Sequence, residues 1–196
     1  MQPGTALASL VLLRHGETTW NQLRLVQGHN DEATLTERGT RQALEAAASL
    51  AGTAFDVIIT SDLRRARDTA AIVGRGRSVD IVTTPALRER SYGVYEGGAL
   101  DAVPVSLAGF VDDLVVDADA RPEGGESLND LYQRVGTWIE QLRRDFHGAR
   151  ILVVTHGGTV RALRAYCAAT PFAHTSWYPV DNASVWTTDA CDRPLA

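Results

Sequence analysis

Two runs of strand-forming residues in this chain end the same way, on a histidine followed by glycine. The first is Leu10-Val11-Leu12-Leu13-Arg14-His15-Gly16, the second Ile151-Leu152-Val153-Val154-Thr155-His156-Gly157-Gly158. Unbroken Val/Ile/Leu runs of this length read as strands buried on both faces, the habit of a parallel sheet covered by helices. In such sheets ligands bind beyond the carboxyl ends of the central strands. If the two strands are neighbours, both imidazoles face one pocket, each beside a glycine that lets backbone or ligand come close.

The rest of the chain alternates in the same sense. Phe55 to Thr60, Val79 to Val82 and Ala183 to Thr187 read as further strands. Thr36 is expected to cap a helix through Gln42, Ala43, Leu44, Ala47 and Leu50, with Gly52 ending it. Ser61 or Asp62 is expected to cap a second helix whose first turn holds Leu63, Arg64 and Arg65. Ser127 to Asp130 has the Ser-x-x-acidic capping pattern and opens a long helix with Leu128, Leu131, Val135, Ile139 and Leu142 on one face. Another helix follows His156. This order predicts an α/β fold, a three-layer α/β/α sandwich with a mostly parallel central sheet. The 196 residues are expected to form a single domain, 1–196, in which the irregular stretch 92–126 is a lid over the strand ends.

Composition removes several kinds of function. All 19 Lys+Arg residues are arginine, so Schiff-base and P-loop mechanisms, which need lysine, are excluded. A net charge of −5 argues against nucleic acid or an acidic membrane surface as partner. No apolar run approaches the roughly 18 residues of a membrane span, and no basic signal-peptide start is visible, so a cytoplasmic location is expected. Cys167 and Cys191 have neither metal nor redox spacing and are expected to be unpaired. His29, His147 and His174 show no metal-ligand spacing and receive no role, although His29 is near enough to the first motif to line a pocket mouth. Oligomeric state has no signature here.

Each strand end carries a specific polar group. Arg14 and His15 follow the first strand, with Asn21 shortly after; Arg65 opens the helix after the second; Glu89 sits after the third; His156 follows the fourth. Two arginines, an asparagine, two histidines and helix N-termini describe a site for a compact dianion, because guanidinium forks match phosphate oxygens and helix-start amides add positive potential. A nucleophilic imidazole can take a phosphoryl group and pass it to water. A nearby carboxylic acid would protonate the departing alkoxide. The arginines neutralise the phosphoryl oxygens, so neither a metal nor another cofactor is called for.

Arg14-His15-Gly16-Glu17-Thr18 followed by Trp20-Asn21 closely resembles the signature of the histidine phosphatase superfamily, the phosphoglycerate mutase-like family. The likeness runs in order through Gln27-Gly28, Leu35-Thr36, Gly39 with Gln42-Ala43, Ser61-Asp62-Leu63-Arg64-Arg65-Ala66 with Thr69-Ala70, and Leu87 to Gly97. Gly124-Gly125-Glu126-Ser127, Thr155-His156-Gly157-Gly158 and Asn182-Ala183-Ser184 complete it. The resemblance implies that His15 is the phosphorylated nucleophile, His156 the second histidine of the phosphate pocket and Glu89 the general acid. Arg14, Arg65, Asn21 and Gly157 would bind the phosphoryl group, and Gln27, Gly28 and Tyr92 would line the substrate pocket. Two departures stand out: Asp31 to Leu35 is one residue longer than the usual spacing, and Gly98 replaces a common apolar residue.

Each assignment has a plainer competitor. Arg65 could belong to a solvated face with Arg64 and Arg67, and Glu89 could pair with Arg88 or Arg90 at the surface. Either histidine could be a satisfied near-core residue, and Arg14 the polar end of a strand. The two histidines, Arg14 and Arg65 outlast that comparison because they fall at separate strand ends in the right order. Glu126 and Asn182 are read as structural, one at a helix start and one in a turn.

The resembled family contains phosphatases and mutases. The stretch between Arg90 and Arg121 holds no Arg, Lys or His but does hold Asp101, Asp112, Asp113, Asp117 and Asp119; by the resemblance, the position where the mutases carry a carboxylate-binding lysine falls near Leu100. A cation-free lid predicts a neutral or exposed leaving group. The expected function is therefore a metal-independent phosphomonoesterase acting on a small phosphorylated metabolite through a phosphohistidine. The alternatives are a phosphoglycerate mutase-type transferase and a catalytically silent phospho-ligand binder, which would normally have lost His15, Glu89 or an arginine.

Overall fold

The computed structural model describes residues 9–108, 110–111, 114–115 and 117–188. In chain order these form β1 (Ser9–Arg14), α1 (Thr19–Gln22), α2 (Glu37–Ser49), β2 (Val57–Ser61), α3 (Arg64–Gly74) and β3 (Asp80–Thr84). There follow α4 (Val105–Ala108), β4 (Phe110–Val111), β5 (Leu114–Val115), α5 (Leu128–Asp145), β6 (Arg150–Thr155), α6 (Gly157–Cys167) and β7 (Val185–Thr188).

The main sheet has the order β3-β2-β6-β1-β7. Its first four strands are parallel, and β7 closes the edge antiparallel to β1. The apolar runs of β1 and β6 feed both faces, as an internal parallel strand must. Leu10, Leu12, Ile151 and Val153 pack with Leu131, Val135, Ile139, Val160 and Leu163 of α5 and α6. Val11, Leu13, Leu152 and Val154 pack with Ala46, Ala66, Ala70 and Val73 of α2 and α3. The result is the expected three-layer sandwich.

Several local expectations need correction. Leu44 is 49% exposed while Ala43 and Ala46 are buried, so α2 meets the sheet with small side chains. The N-cap of α3 is Leu63, with no side-chain hydrogen bond of its own. Ser61 Oγ accepts the Leu63 amide, and the Arg64 amide donates to Asp31, which reaches in from the loop before α2. The expected capping box at Ser127 and Asp130 is present, and α5 buries the expected face. Cys167 is disulfide-bonded rather than free, and the chain's other cysteine is Cys191. A thiol at the end of α6 shows no periodicity from which such a bond could be read.

Within 92–126, one peg holds much of the backbone. The buried Arg90 donates through Nε to Glu126 O, through Nη1 to Leu107 O and through Nη2 to Ala120 O. Asp112 and Asp113, part of the acidic character read for this stretch, lie outside the described residues.

Candidate active site

Parallel pairing of β1 with β6 sets Arg14 beside Thr155, so the next residues, His15 and His156, come together. Their ring centroids are 5.2 Å apart with planes at 60°. β2 lies on the other side of β6 and delivers Arg65 from the first turn of α3. Three neighbouring strands thus place four groups at one sheet edge. They line a cavity of about 310 Å³ to which Asn21, Gln27, Gly28, Glu89, Tyr92 and Gly157 also contribute. All ten residues singled out from the sequence therefore share one cavity.

The hydrogen bonds assign proton positions. His15 Nδ1 lies 2.7 Å from Gly16 O, so Nδ1 carries the hydrogen and Nε2 keeps its lone pair. Arg65 Nε donates to His156 Nδ1 at 3.2 Å, which leaves the His156 hydrogen on Nε2, 2.9 Å from Ser61 Oγ. Burial, followed by the positive charges around them, lowers both histidines well below 6.5. Both imidazoles are neutral near pH 7, the state a nucleophile requires.

Arg65 is 1% exposed, and burial lowers its pKa to about 10 against the opposing pull of Glu89. It also donates to Asn30 O at 2.9 Å and Gly28 O at 2.7 Å, which fixes the loop carrying Gln27. Gly28 has φ +47°, a left-handed backbone that favours glycine, and a Cβ there would strike the Glu96 carboxylate. Arg14 gives Nη1 to Val180 O, but its Nε is buried with no hydrogen-bond partner. A buried charged donor left unpaired is costly, so its presence marks a place where an anion belongs.

Asn21 stands in a capping box with Thr18 and accepts the Thr18 amide on Oδ1 at 3.1 Å. The same oxygen receives Asn182 Nδ2 at 3.2 Å. With Oδ1 occupied, Nδ2 of Asn21 is the end available to an anion.

Glu89 is not a surface ion pair. Arg88 is committed to Asp62 at 2.8 and 2.6 Å, and Arg90 to the three carbonyls above. The Glu89 carboxylate instead accepts the Arg90 and Gly158 amides, each at 2.9 Å. A Cβ at Gly158 would collide with that carboxylate, so this second glycine after His156 has a steric reason.

The sequence reading gave the residues that brace these groups no part in the site, taking Glu126 and Asn182 as structural. Arg134 of α5 reaches Ala86 O, Arg88 O and Glu89 O and forms a bidentate pair with Glu126. Burial works against the Glu126 charge, but Arg134 and the Ser91 amide outweigh it and hold its carboxyl below the usual range. Thr155 and Thr159 donate to Leu87 O and Arg88 O, and His29 Nε2 to Glu89 O at 2.8 Å. His29 is thus a brace for the Glu89 loop. Asn182 Nδ2 also donates to His15 O at 3.1 Å and so steadies the loop of the histidine it follows by 167 positions. Arg161 of α6 lines the cavity too. Only a motif search extending past His156-Gly157-Gly158 would have flagged it. Among the described residues, no group of three or more His, Cys, Asp or Glu could hold a metal ion.

A family model described as "Histidine phosphatase superfamily (branch 1)" matches residues 10–192. Phosphoglycerate mutase-like protein 4 of Arabidopsis thaliana is 38% identical over 162 residues, covering 80% of this chain and 69% of that protein. Metal-independent phosphoserine phosphatase of the same plant is 36% identical over 167 residues, covering 80% and 67%. A mycobacterial glucosyl-3-phosphoglycerate phosphatase in complex with VO3 superposes with a TM-score of 0.79 at 32% identity, over 92% of each chain.

Proposed function

The chain belongs to the histidine phosphatase superfamily, branch 1, and from that membership we propose that it is a phosphomonoesterase working through a phosphohistidine without a metal. One observation carries the reading. A neutral His15 keeps its Nε2 lone pair beside Arg65 and an Arg14 whose buried Nε has no partner. The phosphatases among its relatives and structural neighbours support it.

In this mechanism the ester's phosphoryl group sits between Arg14, Arg65, Asn21 and the start of α6 at Gly157, with His156 as the wall that locks Arg65. His15 Nε2 attacks phosphorus, the ester P–O bond breaks, and the leaving oxygen takes the proton of Glu89. Glu89, now ionised, accepts a proton from water as that water attacks the phosphohistidine. Inorganic phosphate leaves, and both residues return to their first state. Gln27, Gly28 and Tyr92 shape the pocket for the leaving group, with stretch 92–126 as its lid in a single domain.

The cytoplasmic location expected from the sequence is kept in the proposal, and the net negative charge keeps nucleic acid out of it. Disulfides are reduced in that compartment, so the Cys167 bond would be open there; no proposed catalytic group is a cysteine. A second reading, a phosphoglycerate mutase-type transferase, is favoured by Arg161, because a mutase needs cations around the carboxylate of its substrate.

The test is chemical trapping. A phosphoester labelled in the phosphoryl group, quenched in alkali, should leave base-stable, acid-labile label on His15, and His15→Ala should leave none and lose several orders of magnitude in turnover. Label on serine or aspartate, or loss of activity in EDTA, overturns the proposal. Release of label as inorganic phosphate separates hydrolysis from transfer to a second ester.

A further inference from the structure

Asn21 and Gln27 both line the cavity, and a carboxamide helps an anion only with its NH2 end. Which end each one presents is decided by neighbouring atoms whose own role is fixed. The His15 carbonyl can only accept, so the Asn182 atom 3.1 Å from it is Nδ2. The Thr18 amide can only donate, so the Asn21 atom 3.1 Å from it is Oδ1. Asn182 Nδ2 gives its second hydrogen to that same oxygen at 3.2 Å. A carbonyl oxygen has two lone pairs, and both are then filled.

The buried Thr18 hydroxyl carries the orientation onward. It accepts the Asn21 amide at 3.1 Å and lies 3.0 Å from both Asn21 Oδ1 and the end of the Gln27 carboxamide. It has one hydrogen to give. Asn21 Oδ1 is already full, so that hydrogen goes to Gln27, and the atom receiving it is Oε1. The setting thus passes from His15 O through Asn182, Asn21 and Thr18 to Gln27. The ends left over, Asn21 Nδ2 and Gln27 Nε2, have no protein partner among the described residues, and neither is sealed from solvent. Two neutral donors therefore open on the cavity that Arg14 and Arg65 also line.

We infer that Thr18 and Asn182 are positioning residues for phosphoryl binding. Neither lines the cavity, but together they hold both carboxamides with the NH2 end toward the anion. This deepens the phosphatase reading and rests on its placing of the phosphoryl group beside Asn21. A carboxamide turned the other way would show its oxygen to the anion and repel it. Without the Thr18 hydroxyl, Gln27 loses the contact that chooses between its two ends, and the anion must order the side chain as it binds.

A double-mutant cycle tests it, read by calorimetry with inorganic phosphate. A hydrogen bond to a charged partner is worth about 10- to 100-fold, so Gln27→Ala should weaken phosphate binding within that range. Thr18→Val keeps the shape of the side chain without the hydroxyl and should lose about tenfold or more, while Thr18→Ser should stay within about threefold of wild type. In the Gln27→Ala background, Thr18→Val should cost at least about threefold less than it does alone. Additive losses would make Thr18 only the cap of α1 and overturn the inference. Wild-type affinity in Gln27→Ala overturns it as well, and either result leaves the phosphatase reading standing. Asn182→Ala should couple to Gln27→Ala in the same sense, and that cycle decides if Thr18→Val does not fold. Coupling as expected in a protein that hydrolyses no ester, p-nitrophenyl phosphate included, keeps the inference and sinks the phosphatase reading. A wild-type protein that binds no phosphate sinks both.

Discussion

In the proposed mechanism His15 needs a lone pair on Nε2, and one hydrogen bond from Nδ1 to Gly16 O secures it. Glu89 needs a fixed position near the leaving oxygen, which two backbone amides provide. The Glu96 carboxylate is spent on the His29 amide, the Ser91 hydroxyl and the Tyr92 amide. A general acid matters most for a basic leaving group. Glu89→Gln should therefore lose about 10²–10⁴-fold on alkyl phosphates and far less on p-nitrophenyl phosphate, whose phenolate needs little help. An equal loss on both would make Glu89 a structural residue. Arg65→Ala should weaken inorganic phosphate binding by roughly 30- to several-thousand-fold, read by calorimetry, because a desolvated partner of a dianion is lost. Arg67, two positions on, is about half exposed and 3.9 Å from Asp31, so Arg67→Ala should bind phosphate nearly as wild type does. Similar losses in the two variants would mean that the anion sits elsewhere.

At the scale of elements, each strand end is held by a residue from another part of the chain. α3 begins at an apolar N-cap, and its Arg64 amide is satisfied by Asp31 from the loop before α2. Asp31 also faces Arg67, so one carboxylate ties that loop to the helix carrying Arg65. Removing an N-terminal cap costs about 0.5–2 kcal/mol. Asp31→Ala should accordingly lower the melting temperature by about 2–4 °C per kcal/mol lost in a chain of this size. An unchanged melting temperature would show that solvent caps the Arg64 amide equally well. The Glu89 loop is held in the same cross-chain manner by Arg134, Thr155, Thr159 and His29. None of these braces follows from the local sequence around Glu89.

Across the whole molecule, the buried site makes stability depend on pH. His15 and His156 take up protons in the unfolded chain below about 6.5, whereas burial holds their folded pKa values well below that. The unfolded state therefore binds more protons in this window, so stability is full above pH 6.5 and falls as the pH drops below it. The urea midpoint should fall between pH 7 and pH 5, and His156→Asn should show a shallower fall because one of the two groups is gone. Equal slopes would mean that His156 is not kept neutral by the fold. Saturating inorganic phosphate should raise the midpoint, since it binds only the folded site.

The linear sequence determined the layers and the gathering of the ten residues, for a local reason. Apolar runs such as Leu10–Leu13 and Ile151–Val154 can be buried only inside a covered sheet, and whatever follows them must emerge at its carboxyl edge. Adjacency of β1 and β6 then brings His15 to His156 without further information. The tertiary structure alone decided which way the remaining side chains turn and what they meet. Arg134 touches Glu89 O across 45 positions and Asn182 touches His15 O across 167, contacts that no periodicity encodes. The cations of the pocket are not confined to the strand ends for the same reason. The stretch between Arg90 and Arg121 has no cation, but α6 packs so that Arg161 also lines the cavity, and electrostatics acts through space rather than along the chain.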